Sequence, residues 1–186
     1  MTTGRHLGTA ELERGLGNIL ESPDDSGELQ LIVRQPAVDQ RESITAGHLD
    51  VERGLVSDNW LARGNSHTAD GSADAEMQLN IMNTRVVALV ADDPGRRELA
   101  GDQLYLDLNL SGENLSPGTQ LAIGDAIIEV TAPPHTGCKK FAHRFGRDAM
   151  VFVNSGMGKK LNFRGINARV RRSGDIKVGD VARKLS

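Results

Sequence analysis

Leu104, Leu106, Leu108 and Leu110 alternate with Tyr105, Asp107 and Asn109 along the stretch from Gln103 to Leu110. Side chains on a strand point to opposite faces in turn, so this stretch reads as a strand with one leucine-lined, buried face. Glu28 to Arg34 repeats the pattern more briefly with Leu29, Leu31 and Val33. Thr119–Ile123 and Ala126–Thr131 flank Gly124-Asp125, while Ile166–Arg171 and Ile176–Val178 flank Ser173-Gly174-Asp175, and both pairs read as hairpins. Short strands separated by turn residues, with 21 glycines in the chain, predict a mainly β fold, a closed or nearly closed β-barrel with a few short helices. The helices fall at Glu11–Leu20, Thr84–Ala91 and Cys138–Phe145. Residues 1–27 read as a helical or flexible extension and 28–186 as the barrel domain, with Gly64–Glu76 as a surface loop, an insertion or a lid. The expected core joins Leu104, Leu106, Leu108, Leu110, Ile123, Ile127, Val130 and Val170.

At 186 residues the chain supports one domain with a real core rather than two. Only 3% of residues are aromatic, so an aromatic base-stacking platform is not expected and the core must be built mainly from aliphatic residues. A net charge of -3 argues against general attraction to nucleic acid and leaves small anions as the expected charged partners. One cysteine excludes an internal disulfide and favours a reducing compartment, the cytoplasm. The N-terminal residues lack the apolar core of an export signal, and no apolar run approaches the roughly 20 residues that cross a bilayer, so no membrane association is expected.

Cys138 follows an apolar strand and the pair Pro133-Pro134, which enforces an extended approach because proline does not fit a helix interior and the residue before a proline avoids helical angles. A helix then starts near the cysteine, and Lys139, Lys140, His135 and His143 surround it, a setting that favours the thiolate needed for sulfur transfer or soft-metal ligation. A buried, inert thiol is the competing reading. Glu113 and Asn114 lie on a Gly-rich loop after the leucine strand, where sites are often built, but a plain turn with Asn114 stabilising its own backbone explains them better from the residues alone. Arg164 beside Gly165 suits either a surface turn or a bidentate phosphate contact. One cysteine and five scattered histidines provide no paired zinc spacing, and nothing sets a base and oxyanion hole for a thiol hydrolase.

The ordered set Gly112-Glu113-Asn114-Leu115, Pro117-Gly118, Ile123-Gly124-Asp125-Ala126, Gly137-Cys138-Lys139, Arg164-Gly165 and Val178-Gly179-Asp180 resembles the MOSC domain, the C-terminal module of molybdenum cofactor sulfurases, best from 101 to 181. The stretch from Gly54 to Trp60 matches less well, since Ser57 and Trp60 depart from the family pattern, as does Pro133-Pro134-His135-Thr136 where many relatives carry Pro-Arg. The resemblance implies a reactive Cys138 that accepts and relays sulfur as a persulfide or ligates molybdenum. It implies molybdenum cofactor (molybdopterin) as ligand, held by Glu113, Asn114, His135, Thr136, Lys139, Arg164 and Arg85, with Met82 and Asn83 as outer candidates. Pyridoxal phosphate is not expected, because the chain leaves no room for a desulfurase domain. The implied partners are a cysteine desulfurase-like sulfur donor or an electron-transfer protein. A molybdenum-dependent reductase of small N-oxygenated substrates and a non-catalytic binding module are the alternatives. Glu113, Asn114, Cys138 and Arg164 are expected to converge on one pocket.

Overall fold

A computed structural model describes residues 4–66 and 68–185. Eleven strands form: β1 (Ser26–Arg34), β2 (Glu42–Ile44), β3 (Ala46–Asp50), β4 (Gly54–Leu55), β5 (Leu79–Asn83), β6 (Leu104–Leu106), β7 (Gln120–Ile123), β8 (Ala126–Pro134), β9 (Ile166–Arg172), β10 (Gly174–Lys177) and β11 (Val181–Lys184). β11, β7, β8, β9, β5, β6 and β1 are neighbours in that order, and β1 also pairs with β11, so the seven close into a barrel with β2 appended to β1. Only β5 and β6 run parallel within the ring. β10, β3 and β4 make a separate sheet that packs Ile176, Leu49 and Leu55 into the barrel interior.

The helices are α1 (Thr9–Arg14), α2 (Leu16–Leu20), α3 (Trp60–Arg63), α4 (Thr84–Ala91), α5 (Lys139–Phe145), α6 (Arg147–Asn154) and α7 (Gly156–Lys160), with 3-10 turns at Ala75–Met77 and Pro94–Ala100. None is long and apolar enough to cross a membrane. Their place on the barrel follows from adjacent apolar residues in three neighbouring strands. Ile32, Ile81, Leu104 and Leu106 face the barrel interior, whereas Val33, Met82 and Tyr105 face a second cluster built with Leu12, Val86, Val90, Phe141, Phe145 and Phe163. β1, β6 and β5 are thus covered on both faces, which is why Tyr105 is fully buried although it lies opposite the leucines. Each such burial is worth about 1.5–3 kcal/mol.

Two expectations need correction. β9 and β10 do not form a hairpin: β9 pairs with β5 and β8, and β10 with β3. Ile127 is only partly buried, because Ala126, Ile128 and Val130 occupy the inward phase of β8 and a two-residue period sends Ile127 outward. The other seven residues of the expected core do share the barrel interior. The helix expected over Glu11–Leu20 is divided at Gly15, that at Thr84–Ala91 is observed in full, and that at Cys138 starts one residue later with Cys138 as its cap.

Candidate functional site around Cys138

The prolines of β8 shape the approach to the cysteine. Pro133 and Pro134 have no N–H to give to β9, and the β8–β9 register jumps from Val130 opposite Ala168 to Pro134 opposite Ile166. The bulged segment is tied back by Asn167, whose Nδ2 donates to the Pro133 carbonyl at 2.9 Å. Gly137 is held by Asn154 at the end of α6: its N–H donates to Oδ1 at 2.9 Å and its carbonyl accepts from Nδ2 at 3.0 Å. Cys138 comes next, in extended conformation, its carbonyl accepting from the Ala142 N–H at 3.0 Å to start α5. Phe141 and Phe145, with ring centroids 4.9 Å apart, anchor that helix in the outer core. A fixed backbone therefore displays a free thiol that is exposed and makes no capping hydrogen bond.

Guanidinium groups gather behind it. Arg164 is buried, with Nη1 donating to both oxygens of Asp102 at 2.9 and 2.8 Å, Nη2 donating to the Ala100 carbonyl at 3.0 Å, and its Cζ 5.1 Å from the Phe141 ring centroid. Burial pushes the Asp102 carboxyl up to about 6 against the opposing pull of Arg164, so it is ionised at neutral pH. Arg144 donates through Nη1 to the Leu99 carbonyl at 2.8 Å. A side chain at Gly101 would lie 3.5 Å from Arg41 Nη2 and 3.6 Å from Arg144 Nη1, so these two converge there. The Nε of Arg41 is buried without a partner. Burial lowers the Arg144 pKa first, Arg41 and Arg164 lower it further, and Asp39 and a Cys138 thiolate counter them. Asp102 already neutralises Arg164 and Asp39 pairs with Lys140 at 3.8 Å, so the positive charge left near the thiol comes from Arg144 and the exposed Lys139.

The model of the MOSC domain matches residues 39–183, more than three-quarters of the sequence. The chain belongs to the MOSC domain family. Solved structures agree on the fold. The YUAD protein from Bacillus subtilis aligns with a TM-score of 0.59 at 15% identity, covering 87% of this chain and 97% of that one. YiiM from Escherichia coli aligns with a TM-score of 0.53 at 17% identity, covering 86% and 70%. YiiM from Geobacillus stearothermophilus gives 0.56 at 13%, covering 86% and 75%. Comparison with curated proteins gives no match.

In this MOSC fold the residues expected at the site are distributed unevenly. His135, Thr136, Cys138 and Lys139 are contiguous, and Arg164 reaches His135, its Nη1 lying 3.5 Å from Nδ1. Glu113 instead pairs with Lys160 at 3.1 Å. Asn114 ties its own loop to the N-terminal segment, donating to the Asp24 and Asn109 carbonyls at 2.8 Å, while its Oδ1 accepts from Lys184. Arg85 is engaged with Asp107 through Nε at 2.6 Å and Nη2 at 3.2 Å, and with the Asn18 carbonyl through Nη1, which leaves it a structural tie between α2, α4 and the leucine stretch. Asn83 caps α4 by accepting from the Arg85 and Val86 N–H groups, and Met82 lies in the outer core. Arg41, Asp102, Arg144 and Asn154 were invisible to sequence reasoning, because they come from four separate segments with no local pattern linking them to the cysteine.

Proposed function

We propose that this MOSC protein handles sulfur or the molybdenum cofactor through Cys138. The observation that carries the reading is a free, exposed thiol on a clamped backbone within the electrostatic reach of Arg144. A thiolate is what attacks a sulfur donor, and a neighbouring cation suits an anionic donor or cofactor. In sulfur relay, Cys138 attacks the terminal sulfur of a donor persulfide. The donor's S–S bond breaks, the donor leaves as a thiolate, and Cys138 becomes the persulfide. A cysteine desulfurase-like protein is the class of donor this step needs.

The residues also fit the molybdenum cofactor. Cys138 would be the soft ligand that the protein offers molybdenum. Arg41 and Arg144 would take the phosphate, and the unpartnered Nε of Arg41 is a donor suited to it. The bound cofactor supplies the redox chemistry of a molybdenum-dependent reductase, the second reading, which requires an electron-transfer partner.

Iodoacetamide labelling of the native protein tests the shared premise. Cys138 should alkylate without denaturant, and the labelled protein should keep its far-ultraviolet circular dichroism. Labelling that requires unfolding would return Cys138 to the role of a packing residue.

A further inference from the structure

The register jump between β8 and β9 opens a cleft of about 200 Å³ at the rim of the barrel, bounded by the loop at Gly112–Pro117, the segment Val130–His135 and the turn at Asn162–Asn167. No ionised side chain lines it. Its walls are largely apolar, from Leu115, Pro117, Val130, Pro134 and Ile166.

The polar side chains of the lining are mostly committed elsewhere. Thr131 donates its hydroxyl proton to the Glu76 carbonyl. Asn167 donates to Pro133 and accepts from Asn80. Asn162 donates to the Leu110 carbonyl at 2.8 Å. His135 differs. Its Nδ1 faces the Arg164–Asp102 pair, 3.5 Å from Arg164 Nη1 and 3.4 Å from Asp102 Oδ1, while Nε2 bonds to nothing among the described residues and is not sealed from solvent. A guanidinium nitrogen can only donate, so Nδ1 is the acceptor and the single proton of a neutral imidazole sits on Nε2. Gly165, at φ +112, allows this arrangement, since a Cβ there would stand 2.3 Å from the Ile81 carbonyl oxygen and 3.3 Å from His135 Nδ1.

We infer that this cleft is a binding site for a small, uncharged, single-ring ligand whose oxygen accepts a hydrogen bond from His135 Nε2–H. An anion would have to leave water for a lining that offers no free cation, because Arg164 is neutralised by Asp102, and that loss exceeds what one neutral donor returns. An apolar ring with one acceptor matches both the walls and the donor. The inference stands apart from what Cys138 carries, and its test uses neither metal nor cofactor.

Benzamide and benzoate share a ring and a shape and differ in charge, so titration of each into the ¹⁵N-labelled protein separates the terms. Benzamide should shift the amides of Gly112, Gly165 and Asn167 with an affinity on the order of millimolar, as a ligand of this size allows. Benzoate should bind at least about tenfold more weakly, and His135→Phe should weaken benzamide by about tenfold while His135→Gln, which restores an N–H donor, recovers part of it. Long-range ¹H–¹⁵N correlation of the unliganded protein should show His135 as the Nε2–H tautomer. A proton on Nδ1, equal or tighter binding of benzoate, benzamide affinity unchanged in His135→Phe, or no shifts at the cleft would each overturn the inference.

Discussion

Arg164 and Asp102 show how a buried charge pair organises the neighbourhood of the cysteine from within. Both are nearly inaccessible, and every oxygen of Asp102 is bonded to Arg164 Nη1. Removing one partner strands the other, so Arg164→Ala should cost about 3–5 kcal/mol in urea unfolding, whereas an exposed arginine such as Arg147 should cost little when replaced. His135, packed against the same pair, gives a pH signature. Burial, and then the charge of Arg164, hold its pKa well below 6.5. As pH falls through 6.5 the unfolded chain takes up this proton and the folded chain does not, so the fold loses stability below that point. Asp102 acts in the opposite sense between 3.8 and about 6, where the folded state is the one that binds a proton. His135→Gln removes the first effect alone, and the melting temperature of that variant should fall less than that of the wild type just below pH 6.5. An unchanged profile would mean that His135 titrates freely.

At the scale of elements, the phase of β8 decides which isoleucine matters. Ile128 is fully buried in the barrel and Ile127 is not, so Ile128→Ala should cost about 2–5 kcal/mol and Ile127→Ala well under half of that. Equal losses in denaturant unfolding would mean the register is wrong. The sequence carried this strand, its partner β7 and the turn between them, because alternation and Gly124-Asp125 are local signals. It did not reveal where β10 goes. Ser173-Gly174-Asp175 resembles a hairpin turn, but Gly174 passes so close to Asp125 and Ala126 that a Cβ would meet the Asp125 carbonyl carbon at 2.4 Å. The chain therefore leaves the barrel there and pairs with β3, more than a hundred residues earlier, which no local pattern encodes. The place of Cys138 at a helix start was legible for the same local reason, through the prolines before it and the helical spacing of Phe141 and Phe145 after it. The arginines behind it were not, and Arg85 and Asn83 were misleading because a polar residue after a strand signals a cap or an ion pair as readily as a site.

The whole molecule is a barrel with one aliphatic interior and a second apolar layer between three of its strands and the helices. Cys138 caps α5, and the segment that follows it, from Lys139 to Arg164, carries seven Lys and Arg residues against one acidic residue, although the full chain has a net charge of -3. Positive charge is thus concentrated on the elements that follow the thiol, which suits an anionic cofactor or donor. The account rests on Cys138 as the holding point, and because its thiol is exposed and makes no capping hydrogen bond, Cys138→Ser should not lower the melting temperature and, as a better helix cap, should raise it slightly. The most direct measurement is the molybdenum, pterin and cyanide-releasable sulfur content of the wild type and Cys138→Ser, both purified from a host that makes molybdenum cofactor. The wild type should carry molybdenum with pterin, or releasable sulfur, at close to stoichiometric amount, and the variant should carry neither. Equal content in the two proteins, or neither species in the wild type, would contradict it.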